Sequence, residues 1–278
     1  MITRRRRVFG LMLVVAVLLA AGYAGAQWGF REGSLPPRFA PKDLPDRGFV
    51  FCRIMYQRVR FEPMGIGWAT DYPYAEINLM TRLSELTKTY VGKDDRGVPT
   101  NHWVVRLTDE ALFRCPLTMA SDVGTIGLTE EEAERLRDYL LKGGFLWVDD
   151  FWGEAAWEQW RTEIGKALPP SEYPIVDVAP DDPILKSLFV IAGVPQITNI
   201  QFWRRVGGTT TSERGAETAV PHFRVIRDTR GRVIVVMTHN TDVADSWERE
   251  GEDPAFFYQF SPNGYAFGIN VLLHAMTH

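Results

Sequence analysis

Short apolar runs alternate along the chain with segments in which apolar side chains recur at helical spacing. The run Phe145–Val148 ends in Asp149 and Asp150 and has a helical pattern on each side. A buried parallel strand gives a continuous apolar run of this length, and open α/β sheets bind ligands beyond the carboxyl ends of their strands. The pattern therefore predicts a central strand that presents two carboxylates at a ligand-binding edge.

The two helices that flank this strand are predicted from their apolar spacing and their ends. The segment 129–142 begins with a capping box, in which the Thr129 hydroxyl and the Glu132 carboxylate each accept a backbone N–H. Gly143 suits the left-handed position that follows a helix. The segment Ala155–Leu168 has the same helical periodicity and is predicted to be the next helix.

The remaining elements follow from the same two periodicities. Further strands are predicted at Phe49–Val59, Trp103–Leu107, Leu112–Ala120, Tyr173–Val178 and Gln196–Trp203. Further helices are predicted from Pro73 onward, over Asp181–Leu188 and over Gly264–Thr277. The runs Phe223–Arg227 and Arg232–His239 flank a short polar turn and predict a β-hairpin. Strands alternating with helices predict a mostly parallel α/β sheet with helices on both faces and an antiparallel addition at one edge.

The N-terminal segment has the pattern of an export signal. The arginines Arg4–Arg7 precede an uncharged stretch, Val8–Phe30, that contains the sequence Ala24-Gly25-Ala26. This pattern predicts a signal peptide over residues 1–26 that is cleaved after Ala26, which would place the mature protein in the periplasm or another extracytoplasmic compartment. The alternative is an uncleaved membrane anchor, because the uncharged stretch is long enough to span a bilayer.

The rest of the chain is predicted to be one domain on an extended arm. Residues 27–48 are rich in Pro, Gly and charge, a composition that predicts an extended N-terminal arm. Residues 49–278 predict a single α/β domain, since 45% of the 278-residue chain is hydrophobic and supplies one sizeable core. Cys52 and Cys115 lie in apolar runs and are predicted to be buried free thiols rather than a disulfide.

Charge and motifs exclude several classes of partner. The formal net charge is −4, so no basic excess indicates nucleic-acid binding. The sequence has no glycine-rich dinucleotide motif, no phosphate-binding loop and no zinc-ligand spacing, so no cofactor is expected. The expected partner is an unknown small-molecule or envelope ligand. Contact with a membrane is expected only if the N-terminal segment stays uncleaved.

Polar and aromatic side chains cluster where predicted strands end and where the helix after the first strand begins. In a doubly wound sheet these positions lie at one rim, formed by the carboxyl ends of the parallel strands. The residues predicted to bind a ligand there are Trp68, Asp71, Tyr72, Asp149, Asp150, His239, Asn240 and Asp242.

The chemistry of these side chains leaves two functions open. Carboxylates at a strand end suit Mg²⁺ or Ca²⁺ ligation or general acid–base catalysis, which would make the protein a metal-assisted hydrolase. Alternatively, the aspartates cap helices and accept hydrogen bonds from loop amides, His239 is structural, and the rim binds its ligand without catalysis. The sequence assigns no catalytic residue and no metal ligand, and non-catalytic binding is the favoured interpretation.

Four stretches together resemble one bacterial family. They are Trp68–Leu79, Gly143–Asp150, His239–Asp242 and Gly268–Asn270. Through them the chain resembles the domain of unknown function 4159 family from Phe49 to its C-terminus. The resemblance implies a flavodoxin-like sheet similar to that of class I glutamine amidotransferases, which place a nucleophilic cysteine at a tight turn after a central strand. The similar position here contains no cysteine, so glutaminase activity is not expected.

Overall fold

The computed structural model describes residues 35–44 and 48–277. The predicted signal peptide and the first part of the predicted arm lie outside the described residues. Within the described ranges, no helix is long and apolar enough to cross a membrane.

The described part of the chain consists of short strands and longer helices in alternation. The strands are β1 (Phe51–Met55), β2 (Gln57–Arg58), β3 (His102–Arg106), β4 (Thr118–Ser121), β5 (Ile126–Gly127), β6 (Leu146–Phe151), β7 (Ile175–Asp177), β8 (His222–Arg227) and β9 (Val233–His239). The helices are α1 (Tyr74–Leu86), α2 (Glu130–Leu141), α3 (Gly153–Ala167), α4 (Ile200–Arg205), α5 (Asp245–Glu248) and α6 (Pro254–Thr277).

One mixed sheet contains seven of these strands, in the order β3–β1–β4–β6–β9–β8–β7. The strands from β3 to β9 in this order are all parallel, whereas β8 pairs antiparallel with both β9 and β7. The strands β2 and β5 form a separate two-stranded pair. The predicted α/β sheet, mostly parallel with an antiparallel addition at one edge, is confirmed.

Helices cover both faces of the sheet and enclose two apolar cores. The helices α2 and α3 pack on one face, and α1, α5 and α6 pack on the other. On the central strand β6, Val148 contributes to the first core and Trp147 to the second. The Trp147 ring lies 5.8 Å from that of Trp247 and 5.9 Å from that of Phe267. Burial on both faces explains why β6 has a continuous rather than an alternating apolar pattern.

The helix α2 begins and ends as its sequence predicts. The Thr129 hydroxyl accepts a hydrogen bond from the Glu132 amide (3.2 Å), and the Glu132 carboxylate accepts one from the Thr129 amide (2.9 Å). Gly143 follows with a φ of +118°, a conformation that favours glycine. The capping box therefore fixes the helix that leads into β6.

Three predicted elements differ from the structure. The segment Gln196–Trp203 is not a strand, because the Asn199 side chain caps α4 by accepting a hydrogen bond from the Gln201 amide (2.9 Å). The predicted strand Leu112–Ala120 begins within a short 3-10 helix and becomes β4 only after Pro116, which has no N–H to donate to a strand ladder. The C-terminal helix begins at Pro254, ten residues before its predicted start.

Cys52 and Cys115 form a disulfide, so the prediction of free thiols was wrong. Their Cα atoms are 5.9 Å apart, inside the range that a disulfide spans. Cys52 lies on β1 opposite Thr118 of β4, and Cys115 lies three residues before Thr118. The parallel pairing of β1 with β4 therefore brings together two cysteines that are 63 positions apart in sequence.

Part of the predicted arm lies along the edge of the sheet. The Val104 amide of β3 donates to the Arg38 carbonyl (2.8 Å), and the Ala40 amide donates to the Val104 carbonyl (3.1 Å). These bonds pair the backbone of the edge strand, which an exposed edge would leave unpaired.

Candidate ligand-binding rim

The chain turns sharply where several parallel strands end. Asp122, Asp150 and Asn240, at or just beyond the carboxyl ends of β4, β6 and β9, have φ angles of +53°, +53° and +59°. Asp71, just before α1, has a φ of +65°. Asp and Asn tolerate this left-handed region better than most residues, which accounts for their occurrence at these turns. The turns bring several polar side chains to one rim of the sheet.

A β-bulge near the end of the central strand β6 changes the directions of its two carboxylate side chains. Val148 pairs with Met237 and Phe151 pairs with His239, so two residues of β6 lie opposite the single residue between those partners on β9. In a regular strand Asp149 and Asp150 would point to opposite faces. With the extra residue and the left-handed turn at Asp150, both side chains lie close enough to Asp71 for its charge to raise their pKa values.

Asp149 is bound on both oxygens by the protein. The Thr238 hydroxyl donates to Oδ1 (2.5 Å) and the Ala244 amide donates to Oδ2 (2.9 Å). Burial raises the pKa of Asp149 to about 7. Asp149 therefore links β6 to the loop that follows β9. Its bond from the Ala244 amide is of the kind expected if the aspartates accept hydrogen bonds from loop amides.

Three buried aspartates converge on one another, and we call them the carboxylate triplet: Asp71, Asp242 and Asp245. One carboxylate oxygen of each lies within 4.8 Å of the other two. Asp71 accepts a hydrogen bond from the Ser121 hydroxyl (3.2 Å), and Asp242 accepts one from the Asp245 amide (2.9 Å). Burial raises the pKa of all three carboxyls, well above the ordinary value for Asp242 and Asp245.

Beside the triplet lies a small pocket that we call the acidic pocket. Its wall includes the carboxylates of Glu62, Asp122, Asp150 and Glu213. Asp150 is 8% exposed, and its Oδ1 accepts a hydrogen bond from the indole N–H of Trp152 (2.9 Å). No described residue donates a hydrogen bond to its second oxygen. Burial, together with the charges of Asp71 and other nearby carboxylates, raises the pKa of Asp150 well above its ordinary value.

The position of Asp122 in the acidic pocket is fixed by the loop that follows β2. Its Oδ2 accepts a hydrogen bond from the Gly67 amide (2.7 Å). A Cβ atom on Gly65 would collide with the Asp122 carboxylate, so the close approach of loop and carboxylate requires glycine there. Burial raises the pKa of Asp122 to about 7.

A fully buried arginine lies below the rim on β1. The guanidinium of Arg53 forms an ion pair with Glu76 of α1 and donates to the Ser121 hydroxyl (2.6 Å) and the Thr70 carbonyl (3.2 Å). Since Ser121 in turn donates to Asp71, Arg53 orients one member of the carboxylate triplet through an intermediate hydroxyl. The charge of Arg53 is largely matched by that of Glu76, because the two are in direct contact in a buried setting.

His239 and Asn240 both contact the start of α3. One ring nitrogen of His239 lies 3.2 Å from the Gly153 carbonyl and the other 3.3 Å from Arg224, and the ring stacks on Phe151 at 4.8 Å. Burial lowers the pKa of His239 to about 3, so the ring is neutral. The Asn240 side chain accepts a hydrogen bond from the Gly153 amide (2.9 Å). Both residues therefore anchor α3.

Trp68 and Tyr72 also make packing contacts. Their rings lie 5.7 Å apart, and Trp68 packs against the apolar core on the α2–α3 face. Tyr72 is buried, and its hydroxyl accepts a hydrogen bond from the Arg38 amide (2.9 Å). Of the eight residues predicted at the rim, the structure thus brings together Asp71, Asp149, Asp150 and Asp242 and gives the other four structural contacts.

Four acidic residues of this rim were not predicted from the sequence. Asp122 directly follows β4, so a correct end for that strand would have identified it. Asp245 lies three residues after Asp242, and this spacing was a usable signal. Glu62 and Glu213 lie in loops that carry no strand-end pattern, so only the tertiary structure shows them at the rim.

A family model with the description Domain of unknown function (DUF4159) matches residues 51–276. The matched range includes the whole sheet and every acidic residue of the rim described above. No curated protein matches the chain.

Proposed function

Since the chain belongs to the domain of unknown function 4159 family, whose description states no activity, we propose its function from the geometry of the rim. The protein is an exported, non-catalytic binding domain whose acidic pocket takes the ammonium group of a cationic ligand. The proposal rests on the pocket wall, which contains Asp150 together with the carboxylates of Asp122 and Glu213. One oxygen of Asp150 has no hydrogen-bond partner among the described residues.

The charges around the acidic pocket favour a cation over an anion. Arg60 and Arg214 lie 2.7 Å and 3.2 Å from the Glu62 carboxylate, and these two arginines balance only two of the four carboxylates in the pocket wall. Asp122 and Asp150 have no such partner among the described residues, so each raises the cost of ionising its neighbours. A bound cation offsets that repulsion. An ammonium group is compact and has three N–H donors, which suits a small pocket lined by carboxylate oxygens.

The loop beside the pocket indicates what the rest of the ligand is like. Pro63, Met64 and Gly65 line the acidic pocket, and the apolar side chains of Phe61 and Ile66 on either side are 70% and 52% exposed. Exposed apolar side chains next to a polar pocket mark a ligand-binding surface. The ligand that fits carries an ammonium group on an apolar chain, as a lysine side chain or an alkyl diamine does.

The strand order supports a flavodoxin-like assignment. Numbered along the chain, the parallel strands β1, β3, β4, β6 and β9 occur in the spatial order 2-1-3-4-5, which is the flavodoxin-like order. In that order the direction in which successive strands are added to the sheet reverses between β1 and β4, and ligands bind at the carboxyl ends of those strands. Asp122 follows β4 directly, so the acidic pocket lies where this fold binds its ligands.

Export to an oxidising compartment is supported by two features. One is the sequence pattern of a signal peptide over residues 1–26. The other is the disulfide between Cys52 and Cys115, because disulfides persist in extracytoplasmic compartments and are rare in the cytosol. The expected location is the periplasm or another extracytoplasmic compartment, with the uncleaved membrane anchor as the alternative.

The absence of catalysis is supported by how the reactive side chains are used. His239 is neutral and hydrogen-bonded to Gly153 and Arg224, the two cysteines form a disulfide, and both oxygens of Asp149 accept hydrogen bonds.

A metal-assisted hydrolase is the second candidate function. It is favoured by the raised pKa of Asp150, which keeps a proton available for a leaving group. Hydrolysis of a model ester or phosphoester with added Mg²⁺, lost in Asp150→Asn, would support the hydrolase instead.

Calorimetric titration with 1,5-diaminopentane tests the proposal, with 1,5-pentanediol as the uncharged control ligand. The diamine is expected to bind and the diol is not. Asp150→Asn prevents the ionisation that a bound ammonium group would favour, at nearly constant shape, and should weaken diamine binding by roughly 10-fold or more. Asp95→Asn, which changes an exposed carboxylate, is the matched control and should leave it unchanged. Equal binding of diamine and diol, or no binding of either, would contradict the proposal.

A further inference from the structure

The carboxylate triplet has the dimensions of a divalent-cation site. The oxygens of Asp71, Asp242 and Asp245 lie within 4.8 Å of one another. Ca²⁺ accepts irregular sets of six to eight oxygen ligands at about 2.3–2.6 Å, whereas Mg²⁺ needs near-ideal octahedral geometry and usually keeps several waters, so a fully buried cluster of three carboxylates favours Ca²⁺. We infer that the triplet is a calcium-binding site, separate from the acidic pocket.

An unpaired buried oxygen on one member of the triplet supports this inference. The Oδ2 of Asp245 accepts a hydrogen bond from the Ile200 amide (2.7 Å). The Oδ1 of the same carboxylate is fully buried and accepts no hydrogen bond from any residue that the structure describes. Buried carboxylate oxygens are normally paired, because removal from water without a partner is costly. A bound cation supplies the missing partner.

The neighbouring arginines do not neutralise the triplet. The Nε of Arg249 lies 3.6 Å from Asp245 Oδ1, beyond hydrogen-bond distance, but only 2.7 Å from the Glu248 carboxylate. A terminal nitrogen of Arg249 lies 2.6 Å from Glu252. One guanidinium is thus shared among three carboxylates, and the buried arginine of β1 is already paired with a glutamate of α1. The triplet therefore keeps an excess of negative charge that a divalent cation matches.

Hydrogen bonds from the chain hold one oxygen of each member of the triplet and leave the other oxygen without a hydrogen bond from the described residues. Asp242 uses Oδ1 to accept the Asp245 amide, and Asp71 uses Oδ2 to accept the Ser121 hydroxyl. These bonds orient the carboxylates while leaving the opposite oxygens for a metal ion. Because Ca²⁺ takes six to eight oxygen ligands, the second oxygens of the carboxylates and water molecules complete its shell.

The test is the response of the chelator-treated protein to CaCl₂, followed by calorimetry and by thermal unfolding. At about 100 times the dissociation constant, Ca²⁺ should raise the melting temperature by roughly 5–10 °C, and MgCl₂ should have a smaller effect. Asp242→Asn retains the oxygen that accepts the Asp245 amide but removes the charge, and should abolish the response. If that variant does not fold, Asp71→Asn tests the same site from the other loop. Asp122→Asn, which lies in the acidic pocket, should retain the calcium response.

The outcomes separate this inference from the proposed function. No calcium response, or a Mg²⁺ response at least as large, would overturn the calcium site and leave diamine binding at the pocket untouched. A calcium response lost in Asp122→Asn but kept in Asp242→Asn would place the ion in the acidic pocket and also overturn the inference. Calcium binding without diamine binding would retain the triplet as a site and reject the ammonium ligand.

Discussion

Replacing Asp122 with asparagine should flatten the pH dependence of stability. Burial is the largest cause of the raised pKa of Asp122, from an ordinary 3.8 to about 7. Between these two values the folded protein keeps a proton that the unfolded chain releases, so the free energy of unfolding falls as the pH rises through this window. Asparagine cannot ionise, retains an oxygen for the Gly67 amide, and tolerates the positive φ at this position.

The expected magnitude follows from that interval. The contribution of Asp122 changes by about 1.4 kcal/mol for each pH unit that lies between the two pKa values. From pH 5 to pH 8 the wild-type protein should therefore lose on the order of 3 kcal/mol more unfolding free energy than Asp122→Asn. Other buried carboxyls make the unfolding free energy of both proteins depend on pH. The contribution of Asp122 is therefore given by the difference between the two pH dependences, and not by either one alone.

Urea unfolding monitored by tryptophan fluorescence at pH 5, 6, 7 and 8 measures this difference. The control is Asp95→Asn, in which an exposed carboxylate is replaced and the slope should equal that of the wild type. Parallel slopes for wild type and Asp122→Asn would show that Asp122 is ionised at neutral pH in the folded protein. The explanation by burial and carboxylate repulsion would then be wrong.

Three further predictions concern the fold and the N-terminus. Joint replacement of Cys52 and Cys115 by alanine should lower the free energy of unfolding by about 4 kcal/mol in denaturant titrations, since the bridge closes a loop of 63 residues, and intact-mass spectrometry should show a gain of two mass units on reduction. Thr129→Ala should cost about 1 kcal/mol and Leu136→Ala about 2–5 kcal/mol in the same titrations, and equal, negligible effects would contradict the described capping and burial of α2. Mass spectrometry of the native protein should find a mature N-terminus at Gln27, whereas an intact N-terminal segment in the membrane fraction would support the anchor.

Local patterns predicted the elements whose ends are set by nearby residues. The capping box at Thr129 and the continuous apolar run of β6 each reflect interactions within a few positions of the chain or burial on both faces. The prediction of a strand over Gln196–Trp203 was wrong because the apolar residues of this segment face the core from a loop and a short helix. The spacing of apolar residues alone does not distinguish that arrangement from a short strand.

The rim was predicted in part because strand ends are visible in the sequence, while the contacts between them are not. Asp149 and Asp150 were identified from the end of an apolar run, but their different roles depend on a bulge whose register is set by the neighbouring strand. Glu213 reaches the acidic pocket from a loop about sixty residues further along the chain. No local pattern indicates where such a loop folds back.

The bulge on β6 makes the rim sensitive to the number of residues rather than only to their identity. Deleting Asp149 or Asp150 would remove one carboxylate and also restore a regular ladder with β9, so the remaining carboxylate would lose the irregular backbone that sets its direction. A substitution there changes one side chain, whereas a deletion removes one side chain and also redirects the other. Chain length between these two paired positions is thus a constraint on the site in its own right. Related sequences that bind the same ligand should keep this spacing even where the residues within it vary.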